Sequence, residues 1–284
     1  MAIRIITDSS ADISQEEARQ LGISVAPLRV IIDGKEYDDG VDLDVDDFYV
    51  KLREAKNLPT TSQPSPEQFL ALFQEAKAAG DTVIAILISG VLSGTLQSAQ
   101  IARDMADYPD IHIIDSETTI MGLRLLVELA VRMRDAGESA ADIIAAVEEA
   151  KHRVFLVAMV DTLEYLVKGG RLSRTSGMVG TLLKIKPIIT LTKSGVQVLG
   201  KARGFAAAKE YLLQEMQKAG EADPTMPIYF GYTADASLCD SFRAQAEATL
   251  KLRNVVTRGE SVGCAIGTHA GPNAVVVVYL KKQA

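Results

Sequence analysis

The stretch from Asp81 to Ala106 narrows the folds open to this chain more than any other. Asp81 to Ile88 is of strand length and apolar after its first two residues; Ser89-Gly90-Val91-Leu92-Ser93-Gly94-Thr95 follows, and Ser98 to Ala106 carries apolar residues at helical spacing. An unbroken apolar run followed by a 3.6-residue period predicts a buried strand feeding a helix, with Ser93, Gly94 and Thr95 at the helix N-terminus. Such an end offers unpaired backbone N–H groups and the positive pole of the helix dipole. Glycine lets a ligand approach the backbone and the hydroxyls add neutral donors, so the loop suits a carboxylate or a phosphate. An ordinary serine N-cap fits the same residues, and from the residues alone both readings stand.

The same alternation recurs along the first half. Ile3 to Ile6 is a short apolar strand, and Thr7-Asp8-Ser9-Ser10-Ala11-Asp12 is a polar turn before an amphipathic helix from Ser14 to Leu21. Ser24 to Ile32 reads as one strand closed by the Asp33-Gly34 turn. Asp42-Leu43-Asp44-Val45-Asp46 opens like a calcium loop. Asp47 stands where its glycine belongs and no terminal glutamate follows in register, so helix capping over 46–55 is expected instead. Thr60-Thr61-Ser62-Gln63-Pro64-Ser65-Pro66 reads as a hydroxyl-bearing loop whose prolines prevent a regular ladder, with Pro66 opening a helix to Ala79. A strand at 111–114 ends in Asp115-Ser116-Glu117-Thr118, and helical patterns cover 120–135 and 140–153. Alternating strands and helices predict parallel βαβ units with their binding loops gathered at the strands' carboxyl ends.

From Val154 the pattern restarts. Val154 to Val160 is strand-like and Leu163 to Val167 helical; Lys168-Gly169-Gly170-Arg171-Leu172-Ser173-Arg174 is a basic turn before a helical stretch to Leu183. Ile188–Thr192 and Val196–Ala202 form a hairpin across Lys193-Ser194-Gly195, which points to an antiparallel or mixed sheet. Helices at 206–219 and 237–250, strands at 227–232, 254–257 and 274–280, and a short helical segment after Ser261 complete the unit. The expected class is α/β with two α/β domains, 1–150 mostly parallel and 151–284 mixed, and a ligand between them.

Composition bounds the function. The net charge of −7 is spread over a chain with 30 scattered Lys and Arg residues, which gives nucleic acid no basic footprint. Two cysteines, Cys239 and Cys264, stand far apart without a histidine cluster, as expected of small buried residues in a reducing, cytoplasmic setting. No export signal or stable membrane insertion is expected: the start lacks a basic stretch leading into a long apolar run, and no apolar run is of spanning length.

Catalytic templates fit poorly. The serine of Gly90-Val91-Leu92-Ser93-Gly94 falls one place late for a nucleophile elbow, and neither phosphate-loop signature is found. With His112 in a strand, His152 at a helix end and His269 in a loop, a metal centre is not expected, nor is any cofactor. The loop Gly267-Thr268-His269-Ala270-Gly271-Pro272-Asn273 stands apart, because a loop histidine can donate to an oxyanion or orient a hydroxyl that does.

Taken together in order, Thr7–Asp12, Thr61–Pro66, Leu92–Thr95 with Ser98-Ala99, Gly170–Ser173, Lys186-Pro187 and His269-x-Gly271-Pro272 resemble the DegV family over essentially the whole chain. The resemblance implies a fatty-acid-binding protein, in the better understood members the lipid-binding subunit of a two-component fatty acid kinase. It implies a long-chain acyl group in an apolar tunnel between the domains and no catalytic residue of its own. Thr61 and Ser93 would hold the carboxylate, the Gly94 backbone would approach it, His269 would complete the network, and Ser62 would support it from behind. Arg171 and Arg203 match basic positions at the entrance, facing the acyl phosphate or the ATP-dependent kinase partner. Three positions depart from the family pattern: Gly90 replaces a second serine, Leu96 an aromatic residue, and Asn273 a glycine, where the asparagine would add a donor. The alternatives to a carrier are a stand-alone enzyme on a small carboxylated or phosphorylated metabolite, using Ser93 and His269, and a lipid sensor whose partner binds at Arg203.

Overall fold

The protein is described here from a computed structural model covering residues 2–173, 184–252 and 256–283. The helical stretch expected between Arg174 and Leu183 lies outside the described residues. The first half contains β1 (Ile3–Asp8), α1 (Gln15–Leu21), β2 (Ile23–Ala26), β3 (Arg29–Ile32), β4 (Lys35–Asp38), α2 (Val45–Glu54), β5 (Thr60–Ser62), α3 (Pro66–Ala79), β6 (Thr82–Leu87), α4 (Thr95–Ala106), β7 (Ile111–Asp115), α5 (Ile120–Asp135) and α6 (Ala140–Ala150). Local chemistry sets many of the boundaries. Ser14 accepts from Glu17 N while Glu17 accepts from Ser14 N, and Gly22 at φ +61° ends α1. Asp44 accepts from Asp47 N and caps α2, as the acidic run predicts.

Strands β2, β1, β6 and β7 form a wholly parallel sheet in that order. Strand β6 is buried throughout, so its alternate residues serve two cores. Val83, Ala85 and Leu87 pack against Phe69 and Phe73 of α3 and the alanines of α4. Ile84, Ile86 and Ile88 face α5.

The second half contains β8 (Val154–Met159), α7 (Glu164–Lys168), β9 (Ile185–Thr192), β10 (Gly195–Arg203), α8 (Gly204–Ala219), β11 (Ile228–Tyr232), α9 (Ser237–Leu250), β12 (Thr257–Ser261), α10 (Cys264–Ala270) and β13 (Val275–Leu280). Its sheet runs β10-β9-β8-β13-β11-β12 and is mixed, with only the β11–β12 pair parallel. One face, with Val157, Met159 and Val277, packs on α8 and α9. The other, with Ala158, Val160 and Val276, shares a core with α5 and the first sheet. Two α/β domains result, with α5 between their sheets.

Four local expectations change. The strand foreseen from Ser24 to Ile32 is two strands: Pro27 lacks an N–H to continue the ladder, and the chain leaves the parallel sheet for a small antiparallel one, β4-β3-β5. Residues 60–62 are not irregular but pair with β3, since the prolines fall outside the three ladder residues. The strand placed at 254–257 runs from Thr257 to Ser261; residues 253–255 lie outside the described residues. His269 belongs to α10 rather than to a loop.

Helix α10 owes its placement to distant carboxylates. Asp12 accepts from Gly263 N (3.0 Å) and Asp39 from Cys264 N (3.1 Å) and Ala265 N (3.4 Å), so acids from the first half cap a helix of the second. Tyr49 Oη donates to Val262 O at 3.0 Å. A Cβ at Gly267 would come within 2.6 Å of Tyr49 Oη and 2.8 Å of the Phe48 ring, so the bare glycine is what lets α2 and α10 meet. Both cysteines are buried and free. Among the described residues, no helix is long and apolar enough to cross a membrane.

Candidate functional site

A cavity opens between the two sheets. Most of its wall is aliphatic: Ile88 from the first sheet, Leu156 and Ala158 from β8, Ile189 from β9, Val276 from β13 and Ile266 from α10. Thr61, Ser93, Arg171 and His269 also line it. Four residues widely separated in the chain therefore share one chamber.

Each is placed by its element. Thr61 sits in β5 opposite Val30 of β3, and its Oγ1 lies 2.8 Å from His269 Nε2. His269 is buried, and its Nδ1 has no hydrogen-bond partner among the described residues. The backbone at Gly169 packs on that nitrogen, where a Cβ would stand 2.2 Å away. Burial, reinforced by the charge of Arg171, pushes His269 down to about 4, so the ring is neutral at pH 7. Arg171 donates through Nε to Leu92 O (3.0 Å) and through Nη1 to Gly169 O (2.8 Å), tying the second domain to the Ser93 loop.

Ser93 stands one residue ahead of the Gly94 that caps α4. Its Oγ accepts from Thr95 N at 3.3 Å and lies 2.9 Å from Thr95 Oγ1, fixing the loop at the start of α4, and the residue also lines the cavity. Gly94 is the first residue before α4, and the Gln63 side chain lies over it, 2.9 Å from where a Cβ would sit. Ser62, Gly94, Asn273 and Arg203 stand outside the cavity lining. Ser62 pairs with Arg29 in the small sheet. Arg203 is exposed at the start of α8. Asn273 has φ +62° and donates its backbone N to Thr233 O at 3.2 Å. Asparagine tolerates that left-handed conformation better than most residues, which accounts for its standing where a glycine is usual.

The departures at Gly90 and Leu96 are neighbours in space. A Cβ at Gly90 would lie 3.2 Å from Leu96 Cδ2 and 3.1 Å from Asp115 Oδ2, so a side chain at 90 requires Leu96 to move. Among the lining residues that escaped the sequence reading are Thr233 and Thr119. Thr233 is buried and its Oγ1 accepts from Ala274 N at 2.7 Å. Thr119 is buried, lines the cavity, and has no partner for Oγ1 among the described residues. Its signal was the one that marked Ser93, a hydroxyl between a strand and a helix. Ile120 beside it adopts φ +47°, costly for a β-branched residue, where the chain bends into α5 along the cavity wall.

The opening Thr7–Asp12 turn lies behind the chamber. Asp8 accepts from Ile88 N at 2.8 Å, and burial pushes its carboxyl up to about 6; burial also raises Asp39, and Asp12 well above its usual range. These acids hold the loops that form the chamber, and the donors facing it are neutral apart from Arg171. Among the described residues no group of three His, Cys, Asp or Glu is disposed to hold a metal ion.

Comparison with known proteins gives a consistent picture. A family model described as an uncharacterised protein of the DegV family matches residues 2–282. A DegV domain-containing protein from Caldanaerobacter subterraneus subsp. tengcongensis is 39% identical over 282 residues, covering 99% of each chain. A fatty-acid-binding DegV family protein from Thermus thermophilus is similar in structure, with 32% identity, a TM-score of 0.89, and coverage of 99% of this chain and 100% of that one. The fold is also that of the Streptococcus pneumoniae fatty acid kinase (Fak) B3 protein loaded with linoleic acid, at 24% identity and a TM-score of 0.86 over 99% of this chain and all of the other. On this whole-length match and the shared two-domain architecture, the chain belongs to the DegV family.

Proposed function

We propose that this protein binds a long-chain fatty acid in the inter-sheet cavity and offers its carboxylate to a separate ATP-dependent kinase, which converts it to an acyl phosphate. The observation that carries the reading is the chamber itself, walled mainly by aliphatic side chains, with Thr61, Ser93 and His269 together in its lining. A neutral His269 donating from Nε2 to Thr61 Oγ1 leaves the threonine hydroxyl free to donate to the carboxylate, and Ser93 supplies a second hydroxyl. The Gly94 backbone and Ser62 stand just behind these two, and Asn273 supports the turn after α10. A carboxylate held by neutral donors remains an anion with lone pairs open to phosphoryl transfer. Positioning is the protein's contribution, with no proton transfer or catalytic group of its own.

Arg171, inside the chamber, is suited to the developing acyl phosphate. Arg203, exposed and beyond it, is suited to the kinase partner. The divide between the two units falls in this reading near residue 150, where α6 gives way to β8. Burying a chain of sixteen or eighteen carbons at about 0.8 kcal/mol per CH₂ supplies on the order of 10 kcal/mol before ordering costs, enough to survive purification. Extraction of the denatured protein followed by mass spectrometry tests this. One fatty acid per chain is expected; none found, and none taken up on incubation, would end the carrier reading.

A further inference from the structure

Three observations meet where α5 begins at the chamber wall. Thr119, the residue before the helix, is 8% exposed and lines the chamber, yet its Oγ1 has no hydrogen-bond partner among the described residues. A threonine at that position ordinarily accepts from an N–H of the first turn, but this side chain makes no such bond, and the first N–H groups of a helix have no acceptor within it. Ile120, next in the chain and also in the lining, holds φ +47°, a strained conformation of the kind that gathers at ligand sites. A buried hydroxyl without a partner costs stability that a valine of the same shape would not. Together they mark a place for a polar group that the chain itself does not supply.

The place lies near the carboxylate donors. Strands β6 and β7 stay paired past their ends, with Ser116 N donating to Leu87 O (3.1 Å) and Ser89 N to Thr118 O (2.9 Å). The Ser93 loop folds back on the same serine, Leu92 N and Ser93 N both donating to Ser89 O at 3.0 and 3.2 Å. The backbones of Ser93 and Thr118, two hydrogen-bonded steps apart, therefore lie within about 10 Å of each other. The surroundings suit a neutral group. Ile120 adjoins Thr119, Ile88 precedes the Ser89 that pairs with Thr118, and Arg171 already donates to Leu92 O and Gly169 O. A hydroxyl both donates and accepts, as the threonine does, so the two satisfy each other in either sense.

We propose that the start of α5 is a subsite for a hydroxyl group carried on the half of the acyl chain nearer the carboxylate, with Thr119 Oγ1 as its partner, and that the ligands of this protein include hydroxylated long-chain fatty acids. The inference rests on the fatty-acid reading above.

The test uses the delipidated full chain, the saturated sixteen-carbon acid, and its isomers with one hydroxyl at successive positions along the chain. The readout is the Kd of each isomer relative to the plain acid, for wild type, Thr119→Val and Thr119→Ser, with a thermal melt confirming that each variant folds. In wild type, a hydroxyl at one position in the nearer half is expected to leave binding as tight as that of the plain acid or tighter, while hydroxyls elsewhere weaken it. Thr119→Val is expected to remove that advantage about fivefold, the worth of one hydrogen bond, and Thr119→Ser, which keeps the hydroxyl, to retain it. Wild-type protein that binds the plain acid but discriminates equally against every isomer overturns the inference and leaves the fatty-acid reading intact. So does a Thr119→Val protein that keeps the wild-type ratios. Wild-type protein that takes up neither the plain acid nor any isomer overturns both.

Discussion

Thr61 and His269 lie 208 positions apart, yet a 2.8 Å hydrogen bond joins them. If that pair and Ser93 hold a carboxylate, Thr61→Val and Ser93→Ala should each weaken fatty acid binding about 10- to 100-fold, the usual cost of a hydrogen bond to a charged group. Binding of the corresponding methyl ester should change far less. Titration calorimetry with both ligands separates the outcomes, and equal losses for acid and ester would remove these residues from the head-group site. His269 also carries a pH signature. Its folded value of about 4 lies below the ordinary 6.5, so the unfolded chain takes up the proton first as pH falls. The stability it allows is complete above about pH 6.5 and declines toward pH 4, by up to about 3 kcal/mol. Asp8, raised to about 6, acts in the opposite sense, its stability cost growing as pH rises from 3.8 to 6. Only a difference isolates the histidine: the stability of wild type minus that of His269→Gln should rise between pH 4 and 6.5 in urea titrations, and a flat difference would show that the ring is not buried as described.

At the scale of elements, α10 (Cys264–Ala270) is a short helix whose second half, Gly267-Thr268-His269-Ala270, runs into Gly271-Pro272 and has the composition of a loop. It is helical because Asp12 and Asp39 receive its first N–H groups and because Tyr49 and Phe48 close over Gly267. Asp39→Ala would strand Cys264 N, Ala265 N and Ser9 Oγ in a buried setting, with an expected cost of about 2–5 kcal/mol. Hydrogen exchange should then quicken at residues 264–270 more than in β6; equal acceleration of both would mean that the carboxylate acts on the whole fold. Gly169→Ala makes a more local change. Its Cβ would meet His269 Nδ1 at 2.2 Å, so the ring must leave Thr61, and binding should fall with global stability reduced by about 1–3 kcal/mol. The Ser93 junction, by contrast, was legible from its residues, since a strand, a glycine loop and a helix are all local instructions.

Across the whole molecule the cavity belongs to neither sheet alone, because Ile88 comes from one and Ala158, Ile189 and Val276 from the other, with α5 packed between. A ligand held only by the native state should stabilise both halves together, by about 4 kcal/mol at a thousandfold excess over Kd. For a chain of this size that is a rise in Tm on the order of 10 °C. Calorimetry of delipidated and reloaded protein should show one transition moving as a unit; a shift confined to part of a split transition would place the ligand within a single domain.

By itself the sequence determined the two α/β units, the parallel and mixed character of their sheets, and the hydroxyl-rich junctions at Ser93 and Thr61, because hydrophobic period, caps and glycine turns act over a few residues. Family resemblance added the ligand class proposed for it. The tertiary structure alone decided that Pro27 divides a strand between two sheets, that His269 is helical and neutral, that Gly90 and Leu96 lie against each other, and that Thr119, Leu156 and Leu191 face the chamber. Each of these depends on atoms brought together from distant parts of the chain, where burial and steric contact act without respect to sequence order.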